Sequence, residues 1–329
     1  LAAGAIASRY FQPMFFLAHG ISLAVGPLVA QGLGAGDMRQ VRRAFRQGMV
    51  IAVTLGLLTV PLLFIGEDVL VLIGQDPELA RLGQPFLFWS SFGMPFMFLA
   101  FVLRQFLISY ERPIAQVIAL ILTLGVNIGL NEVFSKGLGP FPEMGLGGIA
   151  LATSISYFLL AAGLAVYIGT TAPFADGKPF QRLWVMDWAV TFRLLRIGVP
   201  IGLTIVAEAG MFITATLLIG MFGTASLSAA AIANQLSAIA FMIPIAMATA
   251  GTIRVGNYAG AQDRTNLFRS ASATMIIAIV ATLGTTLVLL IWPETLVGLF
   301  LDNDDPLFAD VILVAMPLML LTALYQIPD

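Results

Sequence analysis

The chain has 329 residues, of which 59% are hydrophobic and only 10% are charged, and its mean hydropathy is +0.96. Soluble domains carry about 25% charged residues, so this composition excludes a soluble globular protein and indicates an integral membrane protein. The formal net charge is −2 and cysteine is absent, which excludes disulfides and thiolate chemistry.

Nine apolar segments follow one another along the chain. Most are longer than the roughly 18 residues that a helix needs to cross a ~30 Å hydrocarbon layer. The sequence therefore predicts an all-α, multi-pass protein. The spanning helices are expected at approximately 10–33, 47–66, 83–108, 113–135, 144–168, 197–221, 226–252, 268–292 and 307–328.

The basic residues alternate from one predicted loop to the next. Thirteen of the 16 follow the first, third, fifth and seventh segments, whereas nine of the 18 acids lie in the other loops. Because Lys and Arg concentrate on the cytoplasmic side, this alternation orients the chain and predicts one more span upstream of residue 1. The thirteen are Arg39, Arg42, Arg43, Arg46, Arg104, Arg112, Lys178, Arg182, Arg193, Arg196, Arg254, Arg264 and Arg269.

Two stretches of the chain repeat at a fixed distance. "VAQGLGAGDMRQVRRAF" at 29–45 matches "VGNYAGAQDRTNLFRSA" at 255–271, with Asp37 and Asp263 in register 226 residues apart. Both copies open a basic cytoplasmic loop, so the two halves have the same orientation and each repeat holds six spans. Parallel repeats of this kind are a standard transporter architecture. Two such repeats exceed the 329 residues present, so material before residue 1 and after residue 329 is expected.

A long loop of mixed composition separates the two predicted halves. Residues 170–197 are rich in Pro, Gly and basic residues, which is typical of a cytoplasmic linker, and Trp184 and Trp188 suit the membrane interface. The predicted division is an N-terminal bundle at 1–169, this linker, and a C-terminal bundle at 198–329.

Glu208 is the most informative residue of the sixth segment, since the stretch "GLTIVAEAGMFITATLLIG" contains no other charge. It lies twelve residues after Arg196. At ~1.5 Å per residue this is about 18 Å, near the middle of the membrane. A charge at that depth costs at least about 2.5 kcal/mol, so Glu208 is expected to face the bundle interior and bind a proton, an ion or a cationic ligand.

Other polar residues also fall inside the apolar segments. Asn127, Asn131 and Thr153 are candidates for a polar site in the first bundle, and Asn234 and Gln235 for a cavity in the second. Such residues often only bridge two helices, and that interpretation stays open for both groups. The single histidine, His19, has no partner acid or second histidine in its segment and is expected to be a packing residue. Asp329 is either a helix end or, with Tyr325 four residues earlier, part of a site.

Several stretches of the chain, in order, resemble motifs of the multidrug and toxic compound extrusion (MATE) transporters, and of their NorM branch. These are "PLVAQGLGAGD" at 27–37, "LTLGVNIGLN" at 122–131, "GLGGIALATSIS" at 145–156, "GVPIGLTIVAE" at 198–208, "IRVGNYAGAQD" at 253–263 and "LYQIPD" at 324–329. The resemblance implies two six-helix bundles, of which the nine segments would be the second to tenth helices.

The same resemblance implies a function. Members of this family export amphipathic organic cations in exchange for Na⁺ or H⁺, and need no cofactor. It places Tyr325 and Asp329 beside Glu208 around one cation, which is the only metal expected, and makes Asn127, Asn131 and Thr153 part of a first-bundle site. We accordingly expect a monomeric, multi-pass protein of the bacterial inner membrane that contacts lipid and binds no nucleic acid.

Three other functions are compatible with an integral membrane protein: a flippase, an intramembrane enzyme and a channel. A flippase for lipid-linked precursors would need several arginines within its spans, and the predicted spans hold none. An intramembrane enzyme would need a Ser and His pair or Asp-rich metal motifs, which the segments lack. A channel is compatible with the composition, although the repeat and the mid-depth acid favour a transporter.

Overall fold

The computed structural model describes residues 2–300 and 308–325, except for the side chains at 217, 224, 225, 308–310 and 322–325. In these ranges the secondary structure is helical. The helices are α1 (Ala2–Leu23), α2 (Val25–Gly34), α3 (Met38–Phe64), α4 (Gly66–Leu72), α5 (Pro77–Ser109), α6 (Ile114–Lys136), α7 (Gly145–Thr170), α8 (Trp188–Gly220), α9 (Thr224–Gly260), α10 (Arg264–Ile291), α11 (Pro293–Val297) and α12 (Phe308–Tyr325).

The all-α, multi-pass fold is confirmed. Eight helical stretches within the described residues are long and apolar enough to cross a membrane, with α1 and α2 together forming the first. The ninth predicted segment, 307–328, corresponds to α12, of which Val311–Leu321 is apolar and the last predicted residues lie outside the described part of the chain.

The break between α1 and α2 has a local cause. Pro27 has no backbone N–H, so the carbonyl of Leu23, four residues earlier, has no intrahelical donor. Accordingly, α1 ends at Leu23, a turn residue follows, and α2 begins at Val25. The two helices together still match one predicted span.

Three helices extend beyond the predicted segments at their basic ends. α3 begins at Met38 rather than near 47, α8 begins at Trp188 rather than near 197, and α9 ends at Gly260 rather than near 252. Apolar patterns detect only the part of a helix inside the hydrocarbon layer. A helix can continue into the interface, because the basic side chains there keep their charged groups in water. The placement in loops was therefore wrong for the basic residues at these helix ends and for the two at the start of α10, namely Arg39, Arg42, Arg43, Arg46, Arg193, Arg196, Arg254, Arg264 and Arg269.

The sequence repeat is also a repeat of backbone geometry. Asp37 (φ −93°, ψ 88°) caps the N-terminus of α3, and its carboxylate accepts from the backbone N–H groups of Arg39 and Gln40 at 2.9 and 3.1 Å. Asp263 (φ −87°, ψ 84°) caps α10 in the same way and accepts from the N–H of Asn266 at 3.0 Å. The predicted register of 226 residues is thus confirmed at the two caps.

The cap at Asp263 also sets its ionisation. The backbone N–H and then the side chain of Asn266 hydrogen-bond to the carboxylate and lower the pKa of Asp263. Because the folded-state pKa is lowered, the stabilisation from this cap is complete above the unfolded pKa. It is lost as the pH falls through the lowered folded value.

Replacement of Asp37 by alanine is expected to lower the stability of the protein by about 1 kcal/mol, since two N–H groups at the start of α3 lose their acceptor. Thermal unfolding of the purified protein in detergent measures the effect. Asp37→Asn is the matched control, because asparagine caps a helix about as well as aspartate. An equal loss for both variants would show that charge, and not capping, stabilises this turn.

The chain divides into two compact units, residues 1–206 with 260–262 and residues 207–259 with 263–329. In the first unit α5 is the central helix and packs against α7, α3 and α1. Its side chains Phe98, Leu103 and Phe106 are fully buried. The predicted bundle boundaries at 169 and 198 remain a prediction, although the helix bounds show that residues 188–197 belong to α8 and not to the linker.

Small residues bring helices of the first unit close together. A Cβ added at Gly198 would lie 2.5 Å from the Cα of Ile21, and one added at Gly202 would lie 2.8 Å from the carbonyl oxygen of Leu17. These two glycines are one helical turn apart on α8, so α1 and α8 contact through their backbones. Close packing of this type is common between membrane helices.

The second unit has a smaller apolar core. It is built between α9, α10, α11 and α12 from alanine and branched or thioether side chains. Its buried members are Ala229, Ile232, Ala233, Leu236, Ala240, Leu289, Val297, Val311, Ala315 and Met319.

Candidate functional site

Glu208 lies in the interior of α8, as the sequence predicts. It is twelve residues before Gly220, the last residue of the helix. At ~1.5 Å per residue this is about 18 Å, so the carboxylate is near mid-depth whether measured from Arg196 or from the other end of α8. Its side chain is exposed on the protein surface. A carboxylate that faced lipid at this depth would be costly.

The two predicted neighbours of Glu208 have side chains outside the described part of the structure. α12 ends at Tyr325, whose side chain lies outside the described residues, and Asp329 lies wholly outside them. The grouping of Glu208, Tyr325 and Asp329 therefore stays a prediction. Among the described residues, no three His, Cys, Asp or Glu side chains form a metal-binding group.

The structure brings two of the three first-bundle candidates into one hydrogen-bond network. Asn131 Nδ2 donates to Asn127 Oδ1 at 3.0 Å on α6, and Asn127 Nδ2 donates to Ser156 Oγ at 3.1 Å on α7. Asn127 lies nine residues before the end of α6, about 14 Å. The Oδ1 atom of Asn131 is buried and accepts no hydrogen bond from a described residue. The network thus keeps one acceptor that no described residue uses.

Thr153 is not a member of this network. Its hydroxyl donates to the Ile149 carbonyl of its own helix at 2.9 Å, and its side chain is partly exposed. Ser156, one turn further along α7, takes the place expected for it. Ser156 was not predicted, because the sequence does not show which of the hydroxyls at 153, 154 and 156 faces α6. That depends on how α7 is rotated against α6.

The two candidates on α9 differ in their surroundings. Asn234 is half-buried, and its Nδ2 donates to Thr216 Oγ1 on α8 at 3.4 Å. This hydrogen bond is what the helix-bridging interpretation expects. Gln235 is exposed. Thr216 is a further residue that the sequence analysis did not single out.

His19 lies among aromatic rings of the first unit. Its ring centroid is 4.9 Å from that of Phe101 and 6.1 Å from that of Phe15. The surroundings are those of a packing residue, as expected from the sequence.

Arg104 corrects one premise of the sequence analysis. It lies within α5 and is half-buried, so the statement that the spans hold no arginine was wrong. However, Arg104 is five residues from the end of α5. Every arginine in a described helix lies within eight residues of an end of that helix. The arginines therefore lie towards the membrane interfaces, and the central part of the described spans remains free of them.

The long apolar helices, the repeated helix caps and the polar side chains inside the helices are those of a multi-pass membrane protein built from two repeats. The MatE family model matches residues 1–133 and 200–329. A relative named "Probable multidrug resistance protein NorM" from Rhizobium meliloti (strain 1021) is 37% identical over 331 residues, which cover 100% of this chain and 70% of the relative. A protein of the same name from Agrobacterium fabrum is 35% identical, with 100% and 71% coverage. The chain belongs to the MatE family, whose members are transporters and not enzymes.

Solved structures show the same fold. The crystal structure of the eukaryotic MATE transporter AtDTX14 superposes with a TM-score of 0.82 at 20% identity and covers 99% of this chain and 72% of its own. A MOP superfamily transporter from Pyrococcus furiosus, described as having a binding pocket of reverse polarity, superposes with a TM-score of 0.79 at 19% identity. That match covers 99% of this chain and 77% of the Pyrococcus chain. The MATE fold expected from the sequence motifs is thus confirmed.

Proposed function

We propose that this protein exports amphipathic, cationic drug-like compounds by alternating access, in exchange for Na⁺ or H⁺. The observation that carries the proposal is the carboxylate of Glu208 at mid-depth in a member of the MatE family. Support comes from its relatives, which are named as multidrug resistance proteins. No cofactor is needed for this activity, and the protein acts as a monomer in the bacterial inner membrane.

The coupling follows from competition for one negative charge. When Glu208 is ionised it attracts an organic cation, and when it binds H⁺ or Na⁺ that attraction is lost. Because ion and drug favour different conformations of the transporter, downhill ion entry drives the drug outwards. In this proposal Tyr325 and Asp329 complete the ion site, and the two carboxylates titrate as a coupled pair.

The first unit contributes a neutral polar site. Asn127 and Asn131 present amide groups, and the free Oδ1 of Asn131 accepts a hydrogen bond from water or from a substrate N–H. Ser156 fixes the orientation of Asn127. In this proposal the network binds the polar part of a substrate whose apolar part lies against neighbouring helices.

A flippase for lipid-linked precursors is the second candidate, and the distribution of arginines weighs against it. A pyrophosphate headgroup needs several cationic groups in a central cavity. The described helices carry their arginines near the ends, as shown above for Arg104. A mid-depth glutamate would repel such a headgroup, whereas it attracts an organic cation.

Transport by purified protein in liposomes tests the proposal. A fluorescent organic cation, ethidium, should move against its gradient when a sodium gradient alone or a proton gradient alone is imposed. One of the two gradients is expected to be sufficient, and protein-free liposomes are the control. Ethidium movement at the same rate with neither gradient would show that the protein is not ion-coupled.

A further inference from the structure

The first unit has a basic cavity on its cytoplasmic face that the transport proposal does not use. Its volume is about 450 Å³, and it lies between the start of α3 and the segment that joins α7 to α8. Five arginines and Gln181 contribute to its lining, together with one apolar side chain. The arginines are Arg39, Arg42, Arg43, Arg46 and Arg182.

The charge of this arginine pocket is largely uncompensated. None of its lining residues is acidic. Arg43 Nε lies 3.5 Å from Asp187 Oδ2, and more than half of the Arg43 side chain is exposed. The lining carries five guanidinium groups and no carboxylate, so the cavity is positive and attracts anions.

Two of the arginines are held by backbone carbonyl groups. Arg42 Nη1 donates to the Gly177 carbonyl, and Arg46 Nη1 donates to the Arg182 carbonyl, both at 3.3 Å. Arg46 is only 8% exposed, and its Nε is buried without a hydrogen-bond partner among the described residues. A topology signal needs only positive charge on one side of the membrane. A buried guanidinium with an unused donor points instead to a binding site.

The opposite wall of the pocket is anchored in the protein core. Phe174 is fully buried, with its ring 4.9 Å from that of Tyr110, and Gln47 Nε2 donates to the Val185 carbonyl at 3.1 Å. The arginine pocket is therefore a fixed cavity and not a collapsed loop.

Exposed aromatic side chains place the pocket at the level of the lipid headgroups. Trp184 is 83% exposed and Trp188 is 64% exposed, and both follow Arg182 closely in the chain. Phe192, one turn along α8 from Trp188, is exposed to the same extent. Tryptophan is enriched at the boundary between hydrocarbon and water.

We propose that the arginine pocket binds the phosphate headgroup of an anionic lipid of the cytoplasmic leaflet. The planar guanidinium group of arginine donates paired hydrogen bonds to phosphate oxygens. Clustered basic residues beside membrane helices also attract anionic headgroups. The cavity volume falls within the ~300 to 1,000 Å³ of small-molecule sites, large enough for a glycerophosphate headgroup. The exposed side chains of Trp184, Trp188 and Phe192 give the acyl chains an apolar surface to pack against.

Native mass spectrometry of the purified protein tests this proposal. Phosphatidylglycerol should remain bound to the wild type, whereas phosphatidylcholine should not. Arg39→Gln and Arg46→Gln should each weaken phosphatidylglycerol binding about fivefold. Arg39 is exposed, so its variant tests the charge even if replacement of the buried Arg46 disturbs folding.

Arg112→Gln is the matched control, because Arg112 is an exposed arginine on the same membrane side that does not line the pocket. It should bind phosphatidylglycerol as the wild type does. Competition with inorganic phosphate distinguishes a site for a lipid headgroup from a site for a free phosphate ion. Equal binding by the wild type and both pocket variants would overturn the proposal. So would full displacement of phosphatidylglycerol by millimolar phosphate, which would indicate a site for a free anion.

Discussion

Replacement of Glu208 by glutamine is expected to reduce ion-driven efflux of a cationic dye to the level of protein-free liposomes. Glutamine has almost the same shape as glutamate, but it neither releases a proton nor offers a negative charge to Na⁺ or to the drug. Without a group that binds both ligands in competition, the coupling free energy between ion and drug disappears. Transport rates in liposomes, at equal amounts of reconstituted protein, measure the effect.

A second carboxylate of a membrane helix provides the control for this substitution. Glu132 lies near the end of α6 and pairs with Lys136 at 2.7 Å, and both side chains are largely exposed. Glu132→Gln should therefore leave efflux unchanged, since a surface ion pair contributes little. Efflux at the wild-type rate by Glu208→Gln would contradict the assignment of Glu208 as the coupling residue. A matching loss in Glu132→Gln would indicate a general effect of charge removal.

Replacement of Gly93 by leucine is expected to destabilise the first unit by about 3 kcal/mol, the upper end for overpacking. A Cβ at this position on α5 would lie 2.5 Å from Ser154 Oγ and 2.9 Å from Ser154 Cα on α7. The contact is also fixed by a hydrogen bond from Ser154 Oγ to the Trp89 carbonyl at 2.7 Å. α5 and α7 must therefore separate to admit any larger side chain.

Gly163→Leu is the control for this effect. Gly163 is on α7, and no atom lies within 4 Å of a Cβ built there. Its variant should unfold at a temperature close to that of the wild type, whereas Gly93→Leu should unfold several degrees lower, as measured in detergent. Equal shifts would mean that the loss of glycine itself, and not the contact with Ser154, causes the change.

The sequence predicted those features that depend on neighbouring residues in the chain. The helical spans follow from runs of apolar residues, and the correspondence of Asp37 with Asp263 follows from the repeated stretches at 29–45 and 255–271. The position of Glu208 in the interior of α8 also needed only its place within one segment. Each of these properties is local, so neither packing nor helix rotation was required to predict it.

Features that depend on distant contacts were not predictable in the same way. The basic run at 39–46 was interpreted as a topology signal, because nothing in the sequence shows that the chain near 182 folds back over it. The arginine pocket joins residues more than 130 positions apart. Likewise, the selection of Ser156 over Thr153 depends on how α7 is rotated against α6.

The two capped turns share an uncommon backbone conformation. The residue before each capping aspartate has a left-handed backbone, with φ of +67° at Gly36 and +57° at Gln262. Glycine adopts this conformation freely, whereas glutamine adopts it at a steric cost. The two turns thus follow the same backbone path, although only Gly36 adopts it without steric cost. The shape of this corner is therefore common to both copies of the repeat, whereas the residue type that holds it is not.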